Sequence, residues 1–217
     1  MTQTVNTQPY RTGARWVRPL TGPNLGTPPT IEIPVATANT LGLFAGDCLQ
    51  ILTGGTVYPS TVGGGSYPYI SHVLLSMTRY YGSDGVIRRG PFLPAATAYT
   101  GVTSVSNPLA SVALCIPVAN QVFALTVPTA EATWTAAQAK VGKCIDINPA
   151  AGSTKTGQSG HLIYTGTDGT YGWQTTTNSG QLRLEEIPRY GLNGTLNNPT
   201  IANWTGYFSV VETIATV

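Results

Sequence analysis

The sequence predicts an all-β fold: an antiparallel β-barrel or sandwich body with one short helix, preceded by an extended N-terminal arm. Three observations predict it. Short stretches with apolar residues at alternate positions recur along the chain, Gly, Pro and Asn punctuate them, and one stretch alone has the composition of a helix. The 217 residues are enough to bury a full core in one large β domain. No repeat at solenoid spacing is present.

Residues 1–29 lack periodicity, hold five prolines (Pro9, Pro19, Pro23, Pro28 and Pro29), and carry Arg11, Arg15 and Arg18 with no acid before Glu32. This is the arm, and Tyr10, Trp16, Val17 and Leu20 give it anchors of the kind enriched at interfaces. Residues 30–217 form the β-rich body. Ile31, Ile33 and Val35 alternate with Glu32 and Pro34, an edge-strand pattern. Leu49 to Leu52, the Thr53-Gly54-Gly55 turn and Thr56-Val57-Tyr58 form a hairpin, with Asp47 capping the turn that leads into it.

Residues 59–109 read as an inserted β excursion and loop. Ile70 to Tyr81 is a strand, Asp84-Gly85 turns into Val86-Ile87-Arg88-Arg89, and a Pro/Thr/Ala-rich stretch follows. Strands resume at Val112 to Val118 and at Gln121 to Val127, where Phe123, Leu125 and Val127 share a face. Thr135-Ala136-Ala137-Gln138 has the form of a capping box, with Gly142 at the helix end. Further strands fall at Lys143 to Asn148, His161 to Thr165, Gln181 to Ile187 and Tyr207 to Ile214, for a total of about eight to ten.

Charge narrows the function. Only 9 % of residues are charged, against about 25 % in an ordinary soluble domain. Net charge is +2, and outside the arm eight cations face nine anions. Arg88-Arg89 and the arm could touch phosphate, with Trp16 and Tyr80-Tyr81 offering stacking faces, but a body without a basic groove predicts no nucleic-acid partner. No apolar stretch approaches the ~20 residues of a membrane helix, and the first residues lack the apolar core of a signal peptide. The expectation is a protein made in a cytoplasm, with no membrane partner. Cys48, Cys115 and Cys144 are odd in number, far apart and each in an apolar run, so they read as reduced, buried side chains.

Catalytic material is sparse. His72 alternates with Ile70 and Leu74 and reads as a strand residue at a face boundary. Gly157-Gln158-Ser159-Gly160-His161 resembles a nucleophile elbow but has His161 where the motif needs glycine, so Ser159 reads as a loop serine. Adjacent Glu185 and Glu186 point to opposite faces of a strand, and Glu185 can balance Arg183. Asp168-Gly169 is a turn dipeptide, and the Asn193 and Asn203 sequons read as turns. The reading is non-enzymatic, with no catalytic residue, cofactor or metal.

Three stretches, in order, carry a family resemblance. Ala38-Asn39-Thr40-Leu41-Gly42-Leu43-Phe44-Ala45-Gly46-Asp47 is followed by Thr53-Gly54-Gly55-Thr56-Val57-Tyr58-Pro59. Thr135 to Lys143 runs on through Asp146, Gly152-Ser153-Thr154 and Gly157-Gln158-Ser159-Gly160. Leu182-Arg183-Leu184 leads to Pro188-Arg189, Asn197-Asn198-Pro199 and Val210-Val211-Glu212. In these the chain resembles the auxiliary capsid proteins of tailed bacteriophages, called decoration or cement proteins, over roughly residues 30–60 and 110–217.

The resemblance implies an antiparallel β-barrel or β-tulip-like body on the outer surface of the head that binds the phage major capsid protein between capsomers and stabilises the shell. It implies no catalysis and a homo-oligomer, a trimer favoured over a dimer. The arm residues Arg11, Arg15, Trp16 and Arg18 are the candidate capsid-binding set, ordering along a groove of the shell, so that removing residues 1–25 is expected to leave a folded body. The alternatives are another virion component, such as a head fibre, collar or tail protein, or a glycan- or receptor-binding module with Tyr67, Tyr69, Tyr80, Tyr81 and Trp173 as a platform.

Overall fold

In the computed structural model the chain is described over residues 13–22, 26–36, 42–52, 54–60, 69–81, 84–94, 111–164, 172–174, 180–192 and 194–211. The alternating stretches resolve there into fifteen strands and one helix. In chain order they are β1 (Arg15–Pro19), β2 (Ile31–Pro34), β3 (Leu43–Phe44), β4 (Cys48–Ile51), β5 (Val57–Pro59), β6 (His72–Tyr81), β7 (Ile87–Gly90) and β8 (Phe92–Leu93). They continue with β9 (Val112–Pro117), β10 (Gln121–Val127), α1 (Trp134–Gln138), β11 (Cys144–Ile145), β12 (Ile147–Asn148), β13 (Leu162–Ile163), β14 (Leu182–Glu186) and β15 (Trp204–Val210).

The first sheet has the order β1-β10-β15-β14-β11 and the second β2-β9-β6-β4-β5, with β7 also pairing β6. Every strand-to-strand ladder is antiparallel. The sheets form an all-β, sandwich-like body and not a closed barrel. Phe123, Leu125, Val127, Leu184 and Phe208 of the first sheet share a core with Cys48, Val73 and Ile116 of the second. Burying a side chain such as Phe123 or Phe208 contributes about 1.5–3 kcal/mol.

Neighbouring residues of the second sheet point the other way. Leu49, Leu74, Met77 and Cys115 join Ile33 and Tyr80 in a second core, closed by Leu43 of β3 and Leu93 of β8. Because successive side chains alternate across a strand, an uninterrupted buried run such as Val73-Leu74 or Cys115-Ile116 serves both cores at once. The second sheet is thus covered on both faces, by the first sheet and by the β3–β8 ribbon.

Several expectations change here. Within the expected excursion of residues 59–109, β6 is a central strand of the second sheet, flanked by β9 along one side and by β4 and β7 along the other, and residues 61–68, 82–83 and 95–109 lie outside the described residues. The helix begins earlier than the capping-box reading places it: Thr133 is the N-cap, its Oγ1 accepting the Ala136 N–H at 3.0 Å, and Ala139 is the C-cap. Gly142 has φ +84° in the turn that follows and donates its N–H to Leu184 O. The β4–β5 hairpin has the expected register, Ile51 opposite Val57 and Leu49 opposite Pro59. The three cysteines are free and buried. Among the described residues no helix is long and apolar enough to cross a membrane.

Candidate functional site

Of the candidate capsid-binding residues, Arg15, Trp16 and Arg18 do not lie on a separate arm. Arg11 is outside the described residues. Arg15, Trp16 and Arg18 belong to β1, which pairs with β10 as an edge strand of the first sheet, Trp16 opposite Phe123 and Arg18 opposite Val122. Trp16 packs on the inter-sheet core and donates its indole N–H to Gln121 Oε1 at 2.6 Å. Arg18 lies 3.4 Å from the Glu186 carboxylate. Leu20 and Thr21 are held by Asn120, whose backbone oxygen accepts the Leu20 N–H at 2.9 Å and whose side chain accepts the Thr21 hydroxyl at 2.8 Å. The expected arm is corrected where the chain is described: its proline- and arginine-rich composition reads as an extended arm, yet residues 13–21 are stitched into the body. Backbone pairing with β10, invisible to local composition, outweighs it.

The densest polar chemistry lies elsewhere, at Asp47 and His161. The β3–β4 turn bends at Gly46, φ +93°, and closes on itself, Phe44 N–H donating to Asp47 Oδ2 at 2.8 Å and Asp47 N–H to Phe44 O at 2.9 Å. His161 Nδ1 accepts the Cys48 N–H at 3.1 Å, which places the ring proton on Nε2, 3.5 Å from Asp47 Oδ1. Ser159 Oγ accepts the His161 N–H at 2.9 Å and also bonds the Asp47 side chain.

All of these side chains are buried. Burial pushes the Asp47 carboxyl above its usual value, against the opposing pull of His161, Ser159 and the Phe44 N–H. Burial likewise pushes the His161 ring below its usual value, against Asp47. Desolvation dominates both, so the pair favours two neutral groups over an ion pair.

Ser, Cys, His and Asp side by side invite comparison with a nucleophilic triad, but the wiring differs. His161 Nδ1 is spent on the Cys48 N–H, Nε2 faces the buried Asp47 Oδ1 without a hydrogen bond, and Ser159 spends its oxygen on neighbouring groups, so in this buried cluster neither is poised toward a substrate. The Cys48 thiol is pushed up, chiefly by burial, and is far from thiolate chemistry. The cluster works as a pin. Gly13 N–H donates to His161 O at 3.0 Å, Ala14 N–H to Gly46 O at 2.8 Å, and Ser159 N–H to Ala45 O at 2.9 Å, so the start of β1, the β3–β4 turn and residues 157–161 meet at one point. Sequence reasoning took Asp47 as a turn cap and Ser159 as a loop serine, and missed their meeting with His161. The available signal was a small-residue stretch beside each, Gly46-Asp47 and Gly157 to Gly160, which lets two backbones approach closely.

The remaining candidates stay apart. His72 is half-buried in β6, with Nδ1 2.9 Å from Ser71 Oγ. Arg183 pairs with Glu185 at 2.8 Å, as its register predicts, and Ser209 donates to the same carboxylate. No group of three His, Cys, Asp or Glu among the described residues is placed to hold a metal. The aromatic platform is also corrected. Tyr80 is buried in the second core, while Trp173 stacks on Phe208 against the first and carries Lys140 over its ring. Tyr69 is spent on a 2.9 Å bond to Ile51 O, and Tyr67 lies outside the described residues.

Among the described residues, the connection between β14 and β15 is an organised apolar feature of the surface. Asn197 is buried and holds it, donating to Pro188 O and Thr205 O at 2.8 Å each and accepting the Thr205 N–H at 2.9 Å. On this frame Tyr190 and Leu196 pair across an isolated bridge, with Arg189 over the tyrosine ring. Tyr190 (56 %), Leu196 (62 %) and Ile201 (48 %) are all exposed. Glu131 N–H donates to Pro199 O at 2.8 Å, tying in the segment that leads to α1, whose Trp134 is likewise exposed. Anchored apolar side chains in a sparsely charged surround are the ingredients of a preorganised contact patch. Comparison with protein-family models, with curated proteins and with solved structures finds no match.

Proposed function

We propose that this chain is a non-enzymatic structural protein of a phage virion that binds the outer surface of the major capsid protein lattice and stabilises the head. The observation that carries the reading is the set of exposed apolar side chains, Tyr190, Leu196 and Ile201, on a connection that Asn197 ties to Pro188 and Thr205, on a body with few charges. A rigid patch loses little entropy on contact, and weak repulsion lets many copies sit side by side. Modest affinity per copy suffices where a repeating lattice multiplies it. The motif resemblance points the same way, and the most organised polar cluster, Asp47–His161–Ser159, is sealed from solvent.

The capsid contact in this reading passes from the arm to the anchored loop, because Trp16 and Arg18 already have partners within the body. The test is fractionation of virions that carry the chain. After disruption it is expected to sediment with heads, and a Leu196→Ala, Tyr190→Ala variant to occupy stripped heads about tenfold less at equal concentration. Recovery with tails, or unchanged occupancy by the variant, contradicts the assignment.

A further inference from the structure

The β6–β7 hairpin leaves an open sheet edge that no part of the described chain covers. We propose that β7 is a docking edge for an extended acidic segment of a protein partner, added to the second sheet as its next strand. The proposal is independent of the shell role and applies in whatever assembly the chain enters.

Exposure sets β7 apart. Ile87, Arg88 and Arg89 are all exposed although they point alternately to opposite sides, so neither face of the strand is covered. Val86 and Ile87 are more than half exposed, beside Asp84-Gly85 at the hairpin tip. The other edges of the two large sheets are guarded. β1, β2 and β5 each contain a proline, Pro19, Pro34 and Pro59, which interrupts strand addition. The open side of β11 is met by Gln174, which donates its N–H to Cys144 O at 2.8 Å. β7 contains no proline, and among the described residues it pairs only with β6.

Charge selects the occupant. The hairpin's one acid, Asp84, is taken by Arg88 at 2.7 Å, which leaves Arg89 without a carboxylate partner among the described residues. A second copy of β7 paired antiparallel at this centre would set arginine against arginine, which opposes self-association. A strand with glutamates at alternate positions can set them all on the face of Arg89, the cation that Asp84 does not take, and its aliphatic residues on the opposite face beside Val86. Two arginines neutralise too few phosphates to hold a nucleic acid, and a polynucleotide does not complete a backbone ladder.

The probe is a short synthetic peptide of alternating Glu and Val, titrated into the isotope-labelled full chain and followed by backbone amide resonances. Shifts are expected to concentrate on Val86 to Gly90, with slowed amide exchange there, as strand addition requires. The same peptide with Lys in place of Glu is expected to bind at least about tenfold more weakly, and Arg89→Glu to reverse that preference. Since Arg89 is exposed and buries nothing, the variant keeps the parent's spectrum elsewhere. Equal binding of the two peptides, shifts away from β7, shifts without added exchange protection, or tighter binding of single-stranded oligodeoxythymidine at the same residues overturns the proposal.

Discussion

Asp47 Oδ1 and His161 Nε2 face each other at 3.5 Å, both side chains buried, with the other ring nitrogen of His161 accepting the Cys48 N–H. This contact joins the β3–β4 turn to residues 157–161 and, through Gly13 and Ala14, to the start of β1. Replacing His161 by Ala removes the acceptor for Cys48 and leaves a cavity beside a buried carboxyl. The expected loss is about 2–4 kcal/mol of unfolding free energy, read from urea denaturation. A loss below about 0.5 kcal/mol would mean that the pin carries no weight.

Acid sensitivity follows from the same pair with opposite signs. The His161 value is lowered on folding, so its contribution is present above the ordinary value of 6.5 and is lost as pH falls below it. His72, also lowered by burial, acts in the same direction. Asp47 is raised and Asp146 is pushed up to about 6, chiefly by burial, so their contributions are present at low pH and are lost as pH rises through the folded values. Asp146 Oδ1 accepts the Gln181 N–H at 2.9 Å, a bond that an amide can also make. Asp146→Asn is therefore expected to gain stability relative to the parent as pH rises from about 4 to about 6, with a constant difference above that, in paired urea titrations, and parallel profiles would contradict this.

Close backbone approach at the pin makes a glycine necessary. Gly13 has φ +86°, and a Cβ there would sit 2.6 Å from Ser159 Cβ. Gly85 has φ +73° with open space around it. Gly85→Ala is expected to cost about 1–2 kcal/mol from the left-handed backbone alone, and Gly13→Ala at least about 1 kcal/mol more from overlap. Equal losses in thermal or urea unfolding would mean that the segments do not meet closely.

Integration of β1 predicts that shortening the chain past Pro19 harms the body instead of freeing it. Trp16→Ala loses core contact and the Gln121 bond, for about 1–3 kcal/mol. Removing the whole strand bares β10, and the product is expected to aggregate. A truncated protein that stays monomeric with the parent's unfolding midpoint would refute this placement.

Thiol accessibility checks the cores. Burial pushes all three cysteines up, Cys115 to about 12, so a thiol-specific colour reagent is expected to label none in the native protein and three in denaturant. Rapid native labelling of any one would show that its core is open.

Local pattern revealed what local pattern encodes. The β4–β5 hairpin, the shared face of Phe123, Leu125 and Val127, and the Arg183–Glu185 pair were all legible, because each depends on residues close in sequence. Long-range pairing was not. β6 looked like part of an insertion because glycine- and proline-rich stretches flank it, yet its ladders with β9, β4 and β7 place it inside the second sheet. The number of strands was underestimated because two-residue strands such as β3 and β8 have no period to detect. The Tyr190–Leu196 patch escaped notice because its rigidity depends on Asn197 bonding across to Thr205 and Pro188.

The shell role is tested most directly by an image reconstruction, at side-chain resolution, of virions that carry the chain. The expected density shows copies of the β body on the outside of the head at symmetry-related positions, with Tyr190, Leu196 and Ile201 against the major capsid protein. Density for the body on the tail, or on the head with that loop facing solvent, would contradict it.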